Sequence, residues 1–81
     1  MTERKENPVK KMAILLAFQM DDEKRIREGY LNAREVEEVK ATGNQIRNEI
    51  VKKGFNVPSI LKYVEEYKNL TFDEYKDWIY K

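Results

Sequence analysis

The chain has 81 residues, and its 16 basic and 15 acidic side chains leave a formal net charge of +1 at pH 7. It contains no Cys and no His, which excludes disulfides and thiolate chemistry, the usual zinc ligands and the usual general base at neutral pH. A chain of this length forms one small domain. The balanced charge disfavours a polycationic protein that binds nucleic acid through charge alone.

The acidic residues do not form a catalytic pattern either. Asp21 and Asp22, like Glu37 and Glu38, are adjacent in sequence, and adjacent residues on a helix point about 100° apart. Ser59 is the only serine and has no His to activate it. We therefore expect a binding protein that needs no cofactor, metal or small-molecule substrate, and not an enzyme.

The first predicted helix begins at Asn7-Pro8, after a flexible N-terminal arm over residues 1–7. Asn is a favoured N-cap, and Pro is tolerated at the first helical position because it loses no hydrogen bond there. The stretch from Val9 to Met20 is apolar almost all round, which is typical of a helix at the centre of a core. The longest apolar run, Met12 to Met20, is shorter than the ~20 apolar residues of a membrane span, so we predict a cytoplasmic protein that does not enter the membrane.

Gly29 favours the end of the first helix, because glycine is common just after a helix C-terminus. Two helix starts with capping boxes follow it. In each box an Asn or Thr is followed three residues later by Glu or Gln. Gly43 lies between the two predicted helices and Gly54 ends the second, so the pattern predicts a helix-turn-helix. The boxes are Asn32 with Glu35 and Thr42 with Gln45, and the predicted helices cover residues 33–40 and 44–53.

The last third of the chain predicts two more short helices. Pro58 can start the first, and Thr71 with Glu74 forms a third capping box that opens the second. No stretch alternates apolar and polar residues as a strand would. The predicted fold is therefore all-α, with about five short helices in a single domain over residues 8–81.

The second helix of the predicted helix-turn-helix carries side chains suited to DNA. Asn, Gln and Arg can form paired hydrogen bonds with base edges, whereas Lys and Thr suit phosphates. We predict sequence-specific DNA binding by a homodimer, because one module of this size buries little interface. The candidate DNA-binding residues are Thr42, Asn44, Gln45, Arg47, Asn48, Lys52 and Lys53, and the candidate phosphate contacts are Arg4, Lys5, Lys10 and Lys11.

Between Tyr30 and Pro58 the chain has a hydrophobic and a small residue, then Glu-Val, a glycine, a helix that ends in Gly, and a proline. These residues are Leu31, Ala33, Glu35, Val36, Gly43, Ile46, Gly54 and Pro58, followed downstream by Leu61, Val64, Leu70, Phe72, Tyr75 and Ile79. The pattern resembles the winged helix-turn-helix of MerR-type regulators and excisionases, which implies a DNA-binding unit in a small transcription regulator. The size and style of the chain also favour a small regulator of the kind found in mobile elements and viruses.

The dense aromatic residues of the last third favour an alternative function. Tyr and Trp anchor many protein interfaces because they bury a large area with few rotatable bonds. A core this small cannot bury all of them, so the same chain could be a protein-interaction module or inhibitor. The candidate interface residues are Tyr67, Tyr75, Trp78 and Tyr80.

Overall fold

The computed structural model describes residues 5–80 and contains four helices in this range. They are α1 (Pro8–Glu28), α2 (Ala33–Lys53), α3 (Val57–Lys68) and α4 (Phe72–Trp78). No strand occurs between residues 5 and 80. The all-α class predicted from the sequence is confirmed, with four helices where about five were expected. None of the described helices is long and apolar enough to cross a membrane.

Local capping interactions set most of the helix ends. The side chain of Asn7 accepts hydrogen bonds from the backbone N–H groups of Val9 and Lys10 at 2.9 and 3.2 Å. The boxes predicted at Asn32 and Thr71 are both fully formed. Gly29 ends α1 with a φ of +78°, a left-handed conformation that glycine adopts without steric cost.

The predicted helix-turn-helix at residues 33–53 is wrong, because α2 is one continuous helix of 21 residues. Thr42 caps no new helix, and its hydroxyl donates instead to the carbonyl oxygen of Glu38 at 3.0 Å, one turn earlier. Gly43 is buried within α2. A Cβ atom at Gly43 would lie 2.6 Å from Nε2 of Gln19. The glycine therefore marks a close approach of α1 to α2, which sequence alone does not distinguish from a turn.

Helix α1 is central and packs against both α2 and α3. The tight connection between residues 29 and 32 makes α1 and α2 an antiparallel hairpin, in which Gln19 meets Val39 and Gly43. The small side chains of Ala13 and Ala17, 0% and 4% exposed, line the buried side of α1. The core residues are Met12, Ala13 and Ala17 of α1, Ile46 of α2, and Ile60 and Val64 of α3.

The prediction that α1 is buried all round is only partly correct. Leu15 and Phe18 are 51% and 56% exposed, and they lie on the side of α1 that points away from Ala13 and Ala17. A helix with neighbours on two sides keeps a third side open unless another element covers it. The structure of residues 5–80 provides no such element.

The C-terminal segment returns to the start of α1. The backbone N–H of Asn7, the last residue of the predicted N-terminal arm, donates to the carbonyl oxygen of Ile79 at 2.7 Å. The side chain of Lys10 donates to the carbonyl oxygen of Trp78 at 3.0 Å. Helix α3 ends near Phe18, because Tyr67 in its last turn packs against the Phe18 ring. Helix α4 therefore begins near Phe18 and runs back along α1 towards Asn7.

Candidate functional site

Along the exposed side of α1, four residues follow one another at spacings of four, three and four. We call Lys11, Leu15, Phe18 and Asp22 the outer face of α1. On a helix with 3.6 residues per turn these spacings form one stripe. Its centre is apolar and half-exposed, with a basic residue at one end and an acidic residue at the other.

An aromatic cleft of about 610 Å³ opens on one side of this face, between α1 and the junction of α3 and α4. Phe18 packs edge-on against Tyr67 with ring centroids 6.3 Å apart, and Tyr67 packs edge-on against Tyr75 at 5.8 Å. Phe72 also lines the cleft and is 72% exposed. The tyrosines are half-buried, so they fix the walls of the cleft, while the two phenylalanines remain accessible.

A second, smaller cleft of about 310 Å³ opens on the other side of the outer face, between α1 and α2. Leu15 and Phe18 line it from α1, and Ile46 lines it from α2. Thr42 and Gln45, both predicted to contact DNA, lie along this cleft as well. Phe18 therefore belongs to both clefts, and the apolar surface is continuous across α1.

A third cleft, of about 480 Å³, also lies between α1 and α2, and three cationic side chains line it beside the apolar Ile26 and Val39. Its lining includes Arg27 of α1 together with Lys40, Asn44 and Arg47 of α2. Glu23 lies there too and forms an ion pair with Arg47 at 3.5 Å. We refer to this site as the cationic cleft.

The predicted DNA-binding residues do not form a single surface. Asn44 and Arg47 line the cationic cleft, whereas Thr42 and Gln45 line the apolar cleft. Asn48 and Lys52 are exposed on α2, and Lys53 pairs with Glu49 at 3.3 Å. Successive residues of a continuous helix point about 100° apart, so this set is distributed around α2.

The predicted phosphate contacts also separate. Lys10 is wrong for this role, because it is only 6% exposed and its ammonium group donates to the Trp78 carbonyl. Lys11 is exposed and pairs with Glu6 at 3.7 Å, and Lys5 is exposed. Arg4, with the rest of the predicted arm before Lys5, lies outside the described residues.

The predicted aromatic interface residues do not all lie at the surface. Trp78 is 8% exposed, and its indole N–H donates to Glu66 at 3.2 Å, so it belongs to the interior and not to an interface. Tyr67 and Tyr75 line the aromatic cleft, and Tyr80 is 38% exposed. Phe18 was missed because it lies in a segment that is apolar all round, where periodicity cannot distinguish the exposed side.

No family model, curated protein or solved structure matches this chain. Among residues 5–80, no three carboxylates cluster closely enough to hold a metal ion.

Proposed function

We propose that this chain is a protein-binding module whose partner docks on the outer face of α1 and in the aromatic cleft beside it. The observation that carries the proposal is the exposure of Phe18 and Phe72, 56% and 72%, at the same cleft. Contiguous exposed apolar surface is uncommon in small monomers and usually marks an interaction site.

The construction of the cleft supports this assignment. Tyr67 touches Phe18, Tyr75 and Trp78 through ring contacts with centroids 5.8 to 6.3 Å apart. A wall held in place by packing loses little side-chain freedom when a partner arrives. Aromatic anchors at such a pocket are the residue types that contribute most binding energy in protein interfaces.

Photo-cross-linking can test the proposal before a partner is known. A photoreactive phenylalanine analogue at position 72 should give a discrete cross-linked protein product in cells that express the chain. Tyr30 is the matched control, because it is 74% exposed but lies in the connection between α1 and α2. Equal products from both positions would contradict a specific site.

The cross-linked partner can then be purified and its affinity measured by calorimetry. Phe72→Ala should weaken binding by about tenfold, the effect of losing one aromatic anchor, whereas Tyr30→Ala should leave the Kd unchanged. Circular dichroism should show that both variants retain their helix content, since neither residue belongs to the core.

A second candidate function, binding to a nucleic-acid backbone, is favoured by the cationic cleft. Arg27, Lys40 and Arg47 line the same cleft with Asn44, and Glu23 is the one acidic residue in its lining. Cations on a groove wall attract phosphates and make affinity depend on salt.

Electrophoretic mobility shift at several salt concentrations tests this second candidate. Lys40→Ala should weaken binding and lower the slope of log affinity against log salt by about one. Lys62→Ala is the control, because Lys62 is an exposed lysine of α3 outside this cleft. Equal losses in the two variants would indicate non-specific charge, and no shift with the wild-type protein would exclude the function.

A further inference from the structure

We infer that the partner on the outer face of α1 is a second copy of this chain, packed with its α1 antiparallel to the first. This inference rests on the proposed function, because it assigns an occupant to the same apolar surface. It is carried by the order of charge along the outer face of α1.

The intervals between the four residues of the outer face are the same whichever end of α1 they are counted from. Lys11, Leu15, Phe18 and Asp22 follow one another at intervals of four, three and four. A two-fold axis between Leu15 and Phe18 therefore places each residue opposite its counterpart in the other copy. Leu15 meets Phe18 of the second copy, and Lys11 meets Asp22 of the second copy, twice in each dimer.

This arrangement satisfies the requirement that an isologous interface be self-complementary. The apolar centre buries Leu15 and Phe18, which are 51% and 56% exposed in the single chain. The ends pair a cation with an anion, whereas a parallel arrangement would place Lys11 beside Lys11 and Asp22 beside Asp22. Charge order thus selects the antiparallel arrangement, since like charges in contact oppose association.

The charges at the ends can form these pairs at little cost. Lys11 is paired with Glu6 at 3.7 Å and Asp22 with Arg25 at 2.9 Å. The side chains of Lys11 and Asp22 are 58% and 38% exposed. Exposed pairs of this kind contribute little to stability, so they can exchange partners when a second chain arrives.

Sedimentation equilibrium on the purified chain, from micromolar to millimolar concentration, tests the inference with charge swaps. The wild-type protein should form dimers. Lys11→Glu should weaken the dimer by about tenfold, because two attractive pairs become repulsive, and Asp22→Lys should do the same. The double variant Lys11→Glu/Asp22→Lys should dimerise as the wild type does.

The sharpest arm mixes the two single variants in equal amounts. In a mixed dimer the new carboxylate at position 11 of one chain meets the new ammonium group at position 22 of the other. At the opposite end the unchanged Lys11 meets the unchanged Asp22, so both ends become attractive again. Dimers should therefore return in the mixture although neither variant forms them well alone. A change in the fold of either variant would not be repaired by mixing.

Lys62→Glu is the matched control for the change of charge in Lys11→Glu, because Lys62 is an exposed lysine of α3 that lines none of the three clefts. It should leave the dimer constant unchanged. A wild-type chain that stays monomeric, a mixture that fails to recover, or a control that weakens the dimer equally would overturn the inference. A monomeric chain that still cross-links a different protein from position 72 would leave the proposed function intact.

Discussion

The side-chain nitrogen of Lys10 donates a 3.0 Å hydrogen bond to the backbone carbonyl oxygen of Trp78, a residue 68 positions later in the chain. The same nitrogen lies 4.7 Å from the centre of the Trp78 ring and 5.2 Å from that of Tyr63. Lys10 is 6% exposed, so this contact is interior. It fastens the C-terminal end of α4, where backbone carbonyls lack partners within the helix, to the first turn of α1.

Lys10→Met should therefore loosen α4. The variant keeps the aliphatic stem but removes the donor and the cation over two rings. Losing a charged hydrogen bond costs more than is gained by removing a buried ammonium group and its desolvation penalty. We therefore expect the free energy of unfolding to fall by about 1 kcal/mol. Urea denaturation followed by Trp78 fluorescence measures it. Lys11→Met, one residue on and exposed, should change stability by less than about 0.5 kcal/mol. Equal effects would contradict the assigned role of Lys10.

The close approach of α1 and α2 at Gly43 predicts that the effect of Gly43→Ala on stability depends on the Gln19 side chain. Gly43→Ala should gain about 1 kcal/mol of helix propensity. In the wild-type chain the new Cβ displaces the Gln19 amide from its 3.0 Å hydrogen bond to the Val39 carbonyl. Losing that bond in a buried setting costs about 1–3 kcal/mol, so the net effect is destabilising.

The Gln19→Ala variant provides the control for Gly43. With the amide gone, Gly43→Ala meets no obstacle and should stabilise the chain by roughly 0.5–1 kcal/mol. A double-mutant cycle by thermal denaturation measures the coupling between the two positions. The same change in both backgrounds would show that α1 and α2 do not approach each other at this point.

Two threonines distinguish a continuous α2 from a turn at Thr42. Thr71 is a true N-cap that accepts a hydrogen bond from the Glu74 backbone N–H at 3.2 Å, so Thr71→Ala should cost about 1 kcal/mol. Thr42 lies within α2, where Ala is the better helix former, so Thr42→Ala should stabilise by up to about 0.5 kcal/mol. Chemical denaturation of both variants checks the signs. If Thr42→Ala lowered the free energy of unfolding as much as Thr71→Ala, Thr42 would be an N-cap and α2 would not be continuous.

A pair of valines tests where the core lies. Val64 of α3 is 1% exposed, and Val51 of α2 is 81% exposed. Val64→Ala should lower the free energy of unfolding by about 2 kcal/mol through lost burial and a residual cavity. Val51→Ala should leave it unchanged or raise it slightly, because Ala is favoured in an exposed helix. Equal losses measured by urea denaturation would place part of the core on the far side of α2.

Much of the fold follows from short-range interactions and was predictable for that reason. Asn32 with Glu35 and Thr71 with Glu74 satisfy backbone N–H groups within one turn of themselves. Gly29 and Gly54 end their helices in left-handed conformations that few other residues adopt. Each of these signals involves neighbours in the chain, so the sequence contains all the information needed.

The candidate site was predicted less well because it depends on which sides of the helices are covered. Phe18 lies in a segment whose apolar residues surround the helix, so no periodicity marks it as exposed. Trp78 is of a residue type that often anchors interfaces. In this fold its ring packs against Tyr67 and Tyr63, and its indole N–H donates to Glu66. Of the predicted DNA-binding residues, Asn44 and Arg47 share the cationic cleft, whereas Gln45 lies along the apolar cleft between α1 and α2.

The sequence by itself determined the all-α class, the absence of Cys and His chemistry and most helix ends, because composition and capping are local properties. Tertiary structure alone decided that Gly43 continues a helix, that Lys10 is interior and that Leu15 and Phe18 face outward. Each of these depends on contact between residues far apart in the chain: Gln19 against Gly43, Lys10 against Trp78, and α2 and α3 covering two sides of α1. Local propensity contains no record of such contacts, since the same residue types suit a turn, a surface or a core until a neighbouring helix is in place.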